Sequence, residues 1–260
     1  MLRFTIATVT YNAGATLPRT LDSVSAQTYD AVEHIIVDGC SRDATISEVQ
    51  TYVERNTEQR HPHAITLIRE PDDGLYDAMN KALAAAKGDY IVFLNAGDAF
   101  HADTTLADIA AQLQGFNQSR LPAVVYGQTD LVDAEGRFLR HRRLEAPERL
   151  TARSFLGGML VCHQSFYART DIARAQPYDL RYRFSADYDW CLRLLRQAER
   201  RSLRIHNTHL TLTDYLAEGL TTANHRRSLL ERLRIMARHF GWPRALAAHA
   251  GFVVRAVVKR

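Results

Sequence analysis

The chain has 260 residues, is 46% hydrophobic and 24% charged, and carries a formal net charge of +4. That suits a soluble globular protein, long enough for one large α/β domain with a full core or for two small ones. It excludes a bilayer-spanning protein, since no apolar run reaches the roughly eighteen residues a span requires, and so mild a charge is no argument for nucleic acid.

Phe4 to Thr10 reads as a first strand, entered so directly that no apolar export signal precedes it. A helix follows over Thr16 to Gln27, with Pro18 tolerated in its first turn. Val32 to Val37 is a second buried strand ending at Asp38-Gly39, followed by a polar helix of about Asp43 to Asn56 and a strand over Ile65 to Arg69. Leu75, Met79, Ala82, Leu83 and Ala86 recur at helical spacing and stop at Gly88. Tyr90 to Leu94 is the fourth strand, and Asp103 is expected to cap a helix with Leu106, Ile109 and Leu113 on its core face. Strands alternating with helices over short connections predict a parallel sheet covered on both faces.

Past residue 120 the rhythm changes. Val124 to Tyr126 and Phe138-Leu139 predict a hairpin around Asp133 to Gly136, and Phe155 to Tyr167 reads as further β structure. Cys191, Leu194, Leu195 and Ala198 line a helix starting near Asp187; Leu229, Leu233, Met236 and Phe240 line another. From Trp242 the tail winds into a helix with Leu246, Ala250, Val253, Val254 and Val257 on one side and Arg244, Arg255, Lys259 and Arg260 on another. Such a helix suits either an anionic membrane surface or docking on its own domain. The basic runs at Arg140 to Arg143, Arg193 to Arg204 and Arg226-Arg227 are solvated faces or contacts for anionic partners. Cys40, Cys162 and Cys191 cannot all pair and match no zinc spacing, so reduced thiols are expected.

Ligands collect beyond the carboxyl ends of parallel strands. Here those ends carry Thr10-Tyr11-Asn12, Asp38-Gly39, Glu70 to Gly74 and Asn95-Ala96-Gly97-Asp98. Carboxylates at such ends suit ribose hydroxyls and a hard divalent cation shared with substrate phosphates. The turn after the first strand lacks the dinucleotide glycine pattern, and neither a P-loop nor a nucleophile elbow occurs.

Taken in order, Thr8 to Asn12, Ile36 to Thr45, Glu70 to Lys81, Gly88 to Tyr90, Phe93 to Asp98, Cys162 to Ser165 and Ser185 to Trp190 resemble the inverting family 2 glycosyltransferases of the GT-A fold. The resemblance spans roughly residues 3 to 225 and points to the bacterial subgroup that builds exopolysaccharide, including colanic-acid-type polymers. It implies an α/β fold: a Rossmann-like α/β/α sandwich with a mainly parallel central sheet and a mixed C-terminal half. Residues 1–235 would form the GT-A domain, with a nucleotide-binding half over about 1–100 and an acceptor half over about 101–235. Residues 236–260 would form the basic amphipathic helix.

The resemblance also implies roles. Thr10, Asn12, Asp38, Asp72, Asp73, Lys81 and Asn95 would bind the nucleotide-sugar, and Asp98 would ligate Mg²⁺ or Mn²⁺. Asp187 would be the catalytic base, with His163, Gln164 and Asp189 on the acceptor side, and Glu218 to Thr222 would be a loop near the donor phosphates. Each has a structural alternative, as cap, turn residue or solvated charge. The chain departs from the family pattern at Gly97 and Ala186, where carboxylates are usual. The implied donor is a nucleoside-diphosphate sugar, and the acceptor a hydroxyl of a glycan or polyprenyl-diphosphate-linked saccharide. The enzyme would be cytoplasmic, with peripheral contact at the inner membrane surface. The alternative is a sugar-nucleotide-binding protein without turnover.

Overall fold

A computed structural model of the chain describes residues 1–117, 120–217 and 225–258. Its first half follows the alternation of the sequence. Strands β1 (Phe4–Thr10), β2 (Val32–Asp38), β3 (Ala64–Arg69) and β4 (Tyr90–Phe93) pair in parallel in the order β3-β2-β1-β4. β1, β2 and β4 are buried along their whole length, as expected for parallel strands covered on both sides. The connecting helices are α1 (Leu17–Ser25), α2 (Thr45–Thr57) and α3 (Leu75–Ala85). α3 turns Tyr76, Met79 and Leu83 to the core and leaves Leu75 exposed, so its apolar stripe begins one residue later than the spacing predicts.

The second half extends the same sheet with mixed polarity. β5 (Ala99–Phe100) precedes α4 (Thr105–Leu113), whose N-cap is Thr104 and not the expected Asp103. β6 (Val124–Val132) and β7 (Phe138–His141) make the predicted hairpin. The stretch expected to be β from Phe155 is instead two 3₁₀ turns, at Ala152–Gly157 and His163–Ser165, and becomes β8 only at Phe166–Arg169. Then come α5 (Thr170–Arg174), α6 (Ala186–Arg200), β9 (Ile205–Leu216), α7 (His225–Phe240) and α8 (Trp242–Val258). The full sheet order is β3-β2-β1-β4-β8-β6-β9-β5, with β7 on β6. β8 runs antiparallel to β4 and β6, and β9 parallel to β6.

Alternation along the strands divides the core. Ala7, Val9, Ile35 and Val37 face a layer built by α3 and α6, including Met79, Trp190 and Leu194. Phe4 and Ile6 face Leu106 and Ile109 of α4, and Ile36 packs with Leu17, Leu21, Val49 and Tyr52. α8 docks through Ala245, Ala248 and Phe252, leaving Trp242 and Leu246 exposed. The loop at Glu218 to Thr222, Lys259, Arg260 and the side chains of Val253, Val254, Arg255 and Val257 lie outside the described residues.

Candidate active site

The carboxyl ends of β1, β2 and β4 lie side by side, because these strands are parallel neighbours. Beyond β1, Asn12 adopts φ +48°; its N–H donates to Ser41 Oγ (2.8 Å) and its Oδ1 accepts from Arg42 N–H (2.9 Å). Asp38 is fully buried and accepts the N–H of Ser41 at 2.9 Å and its hydroxyl, with Arg69 Nε 3.7 Å away. Thr10 is buried at the end of β1, and among the described residues its hydroxyl has no hydrogen-bond partner.

Asp72 closes the neighbouring turn by accepting Gly74 N–H at 2.9 Å. Its other oxygen presses on Gly39: a Cβ there would lie 2.4 Å from Asp72 Oδ2 and 3.3 Å from Tyr11 Cδ2. Glycine at 39 therefore lets Asp72 and the exposed Tyr11 converge on the end of β2. Asp73 is exposed, and its N–H donates to Asp77 Oδ2 at 3.1 Å. Lys81 is tied to the Pro71 carbonyl, Glu70 (3.1 Å) and Asp77 (3.4 Å), bracing this turn from behind.

Five of the expected residues meet in one network past β4. The 3₁₀ turn carrying His163 and Gln164 is pinned by two sheet contacts: Ser165 Oγ donates to Gln128 O (3.0 Å), and Thr213 Oγ1 donates to Gln164 O (2.8 Å). His163 Nε2 lies 3.2 Å from Asn95 Nδ2, and its Nδ1 lies 3.4 Å from Asp187 Oδ2. Gln164 Nε2 donates to Asp98 Oδ2 at 2.8 Å, and Leu216 N–H donates to Asp98 Oδ1 at 3.1 Å. Asn95 Oδ1 is buried with no partner among the described residues.

The two carboxylates of this network sit in different fields. Asp98 is only 4% exposed, and burial pushes its pKa from the usual 3.8 to about 6 despite the Gln164 and Leu216 hydrogen bonds. Burial acts the same way on Asp187, but His163, Arg232 and the Tyr188 N–H outweigh it, so its pKa is lowered. Tyr76 donates to Asp187 Oδ1 at 3.1 Å and stays neutral, because burial and then the Asp187 charge hold its phenol well above the ordinary range. The first turn of α6 holds Asp187, where a helix N-terminus favours negative charge. Glu231 fixes that entry by accepting the N–H groups of Arg183, Phe184 and Ser185 at 2.9, 2.8 and 3.0 Å.

Asp189 is not brought to this cluster. It is 1% exposed and bonded to Arg193 Nε (2.6 Å) and His239 Nε2 (2.8 Å), so it latches α6 to α7. Two residues along a helix turn the side chain by about 200°, which removes Asp189 from the face of Asp187. Gly97 has φ +99°, and a Cβ there would lie 2.8 Å from Leu216 Cδ2. The missing carboxylate thus matches a backbone that disfavours any side chain.

Sequence reasoning missed Tyr76 and Glu231. It also missed His101, Asp130 and Asp214, whose ligand atoms lie within 4.8 Å of one another. Asp130 and Asp214 inside strands were the available signal.

The parallel core, extended by strands of mixed polarity, is the fold of the GT-A glycosyltransferases. Residues 5–175 match the Glycosyl transferase family 2 profile, and the chain belongs to that family. It is 34% identical over 191 residues to the PGL/p-HBAD biosynthesis glycosyltransferase of Mycobacterium bovis, covering 73% of this chain and 68% of that one. It is 29% identical over 200 residues to the amylovoran biosynthesis glycosyltransferase AmsB of Erwinia amylovora, covering 74% and 64%. Among solved structures, Staphylococcus aureus TarS 1-349 in complex with UDP-GlcNAc superposes with TM-score 0.66 at 17% identity, over 91% of this chain and 67% of that one. The mannosyltransferase PcManGT of Pyrobaculum calidifontis, in complex with GDP-Man and Mn²⁺, superposes with TM-score 0.61 at 20% identity, over 97% and 75%. Of TarS 1-349 in complex with UDP, this chain spans 64%. Among the described residues no helix is long and apolar enough to cross a membrane.

Proposed function

We propose that the chain is an inverting, divalent-metal-dependent glycosyltransferase of surface-polysaccharide assembly. It would move one sugar from a nucleoside-diphosphate sugar to a hydroxyl of a glycan or polyprenyl-diphosphate-linked saccharide. The observation that carries this reading is the shared network of Asp187 and Asp98, in which one carboxyl is held ionised and the other is buried beside an unpartnered acceptor. The donors named for the related structures, UDP-GlcNAc and GDP-Man, support a nucleotide-sugar.

Inversion by a single displacement needs one base and no enzyme nucleophile. Asp187 accepts the proton of the acceptor hydroxyl while that oxygen bonds to the anomeric carbon. The bond from that carbon to the diphosphate oxygen breaks, and the electron pair leaves with the diphosphate. His163 and Tyr76 hold the Asp187 carboxylate, and Gln164 orients Asp98. Thr10, Asn12, Asp38, Asp72 and Asp73 line the base and ribose, while Lys81 and Asp189 act by bracing the fold.

Asp98 and Asn95 would hold Mg²⁺ or Mn²⁺. They fit a cation, since Asp98 has only neutral hydrogen-bond donors on its oxygens and Asn95 Oδ1 is an orphaned acceptor. A bound cation would neutralise charge on the departing diphosphate. Trp242 and Leu246, exposed one turn apart on α8, support peripheral contact with an inner-membrane surface.

The test is a thermal-shift screen of UDP, GDP and dTDP with Mn²⁺, followed by transfer from the matching labelled sugar. No shift with any diphosphate overturns the donor reading. A shift without transfer to any lipid-linked acceptor favours a binding protein.

A further inference from the structure

We propose that His101, Asp130 and Asp214 form a second divalent-metal site of zinc type, with His141 beside it. It is separate from the donor site and on the opposite face of the sheet. The side chains of Thr129 and Thr213 reach Ser165 Oγ (2.7 Å) and Gln164 O (2.8 Å), towards the donor network. Asp130 and Asp214 are the next residues on the same two strands, so they point the other way.

Asp130 and Asp214 are register partners across β6 and β9. Neighbouring strands lie about 4.8 Å apart, so two like charges face each other at close range. Asp130 is also buried. Such a pair needs positive charge, yet among the described residues no Lys or Arg stands within ion-pair distance of either. Their partners are imidazoles: His141 Nδ1 lies 2.8 Å from Asp130 Oδ1, and His101 Nδ1 lies 2.7 Å from Asp214 Oδ1.

This donor set has the chemistry of a transition-metal site. Imidazole nitrogen with carboxylate oxygen suits Zn²⁺ at about 2.0–2.2 Å, whereas Mg²⁺ prefers oxygen alone. The ligand atoms already lie within 4.8 Å of one another, and a cation would draw them in by side-chain rotation. The ligands come from the segment after β5, from β6 and from β9, and His141 from β7, so an ion there clips three or four segments together. It also fixes the frame of Asp98, which directly precedes β5 and accepts from Leu216 at the end of β9.

The experiment uses the full chain, stripped with EDTA, dialysed against micromolar Zn²⁺ without nucleotide, and freed of unbound ion. We expect about one zinc per chain by elemental analysis and a rise in Tm over the stripped protein. His101→Ala and Asp214→Asn should lose both, while Asp98→Asn keeps both. If Asp214→Asn does not fold, His101→Ala decides alone, because its imidazole is 42% exposed and outside the core. Zinc retained by His101→Ala, zinc lost from Asp98→Asn, or no zinc on the wild-type chain would each overturn the proposal.

Discussion

His163 and Gln164 are chain neighbours that serve different carboxylates: His163 Nδ1 lies 3.4 Å from Asp187 Oδ2, while Gln164 Nε2 donates to Asp98 Oδ2 at 2.8 Å. One 3₁₀ turn therefore sets the proposed base and the proposed metal ligand relative to each other. A shift of that turn would misplace both, and its ties to β6 and β9 oppose such a shift.

His163→Ala should raise the pKa of Asp187, because burial then acts against weaker opposition. The catalytic form of the base is the ionised one. Raising its pKa moves the acid limb of the kcat profile to higher pH. At neutral pH the loss in kcat should stay below the ~10²–10⁴-fold that removing a general base costs, and donor KM should be unchanged. The check is kcat and KM against pH for both proteins; an unmoved acid limb would show that His163 does not control Asp187.

Asp98→Asn should stabilise the metal-free protein at neutral pH while abolishing transfer. The folded-state pKa of Asp98 lies above its usual 3.8, at about 6. Its contribution to stability is thus fully present below about pH 4 and is lost as pH rises through 6. The displacement corresponds to about 3 kcal/mol, order of magnitude only. Asparagine cannot ionise and escapes that loss. Melting curves without metal should put the variant several degrees above wild type at pH 7.5 and level with it near pH 4. In the presence of Mn²⁺ and donor the order should reverse, because only the wild type gains from the ligand.

Trp242→Glu with Leu246→Glu should weaken sedimentation with anionic vesicles and leave Tm within a degree or two of wild type. Both side chains are exposed, and charge there costs little stability. Phe252 packs against the core cluster and Ala245 is fully buried, so cutting the chain after Gly241 should lower Tm. Equal sedimentation of wild type and the double variant would remove the membrane reading.

Most of the strand-end geometry was legible in the sequence, because β1, β2 and β4 are short apolar runs that stop at polar residues. What was not legible has identifiable causes. β5 is two residues long, too short for any period, and β9 interleaves His206, Asn207, Thr208 and His209 among its apolar positions. The stretch from Phe155 to Tyr167 looked like a strand because it is largely apolar, but 3₁₀ turns at Ala152–Gly157 and His163–Ser165 occupy it, the second held by the hydroxyls of Ser165 and Thr213. The apolar side of α8 read from the sequence, running through Leu246 and Ala250, left membrane contact and docking as alternatives. Leu246 attracts notice by its hydropathy, yet the residues that pack are Ala245, Ala248 and Phe252, beyond the turn at Gly241 that follows α7.

The same helical geometry separates Asp187 from Asp189 experimentally. Asp187→Asn keeps the size of the side chain and can still accept from Tyr76, but it cannot take a proton from the acceptor. Its kcat should fall by about 10²–10⁴-fold, with donor KM held, the pattern of an interaction made mainly in the transition state. Stability should change little, since Asp187 is one-fifth exposed and its bonds are long. Asp189→Asn should behave in the opposite way. It removes the charge from a buried carboxylate that Arg193 and His239 clasp, leaving Arg193 beside a neutral amide at the α6–α7 contact. Breaking one side of such a buried pair costs about 3–5 kcal/mol, so Tm should drop clearly while the folded fraction retains turnover. Measuring kcat per folded molecule together with Tm distinguishes the two. A stable but inactive Asp189→Asn beside an active Asp187→Asn would move the base two residues along the helix and dismantle the network that His163 was argued to organise.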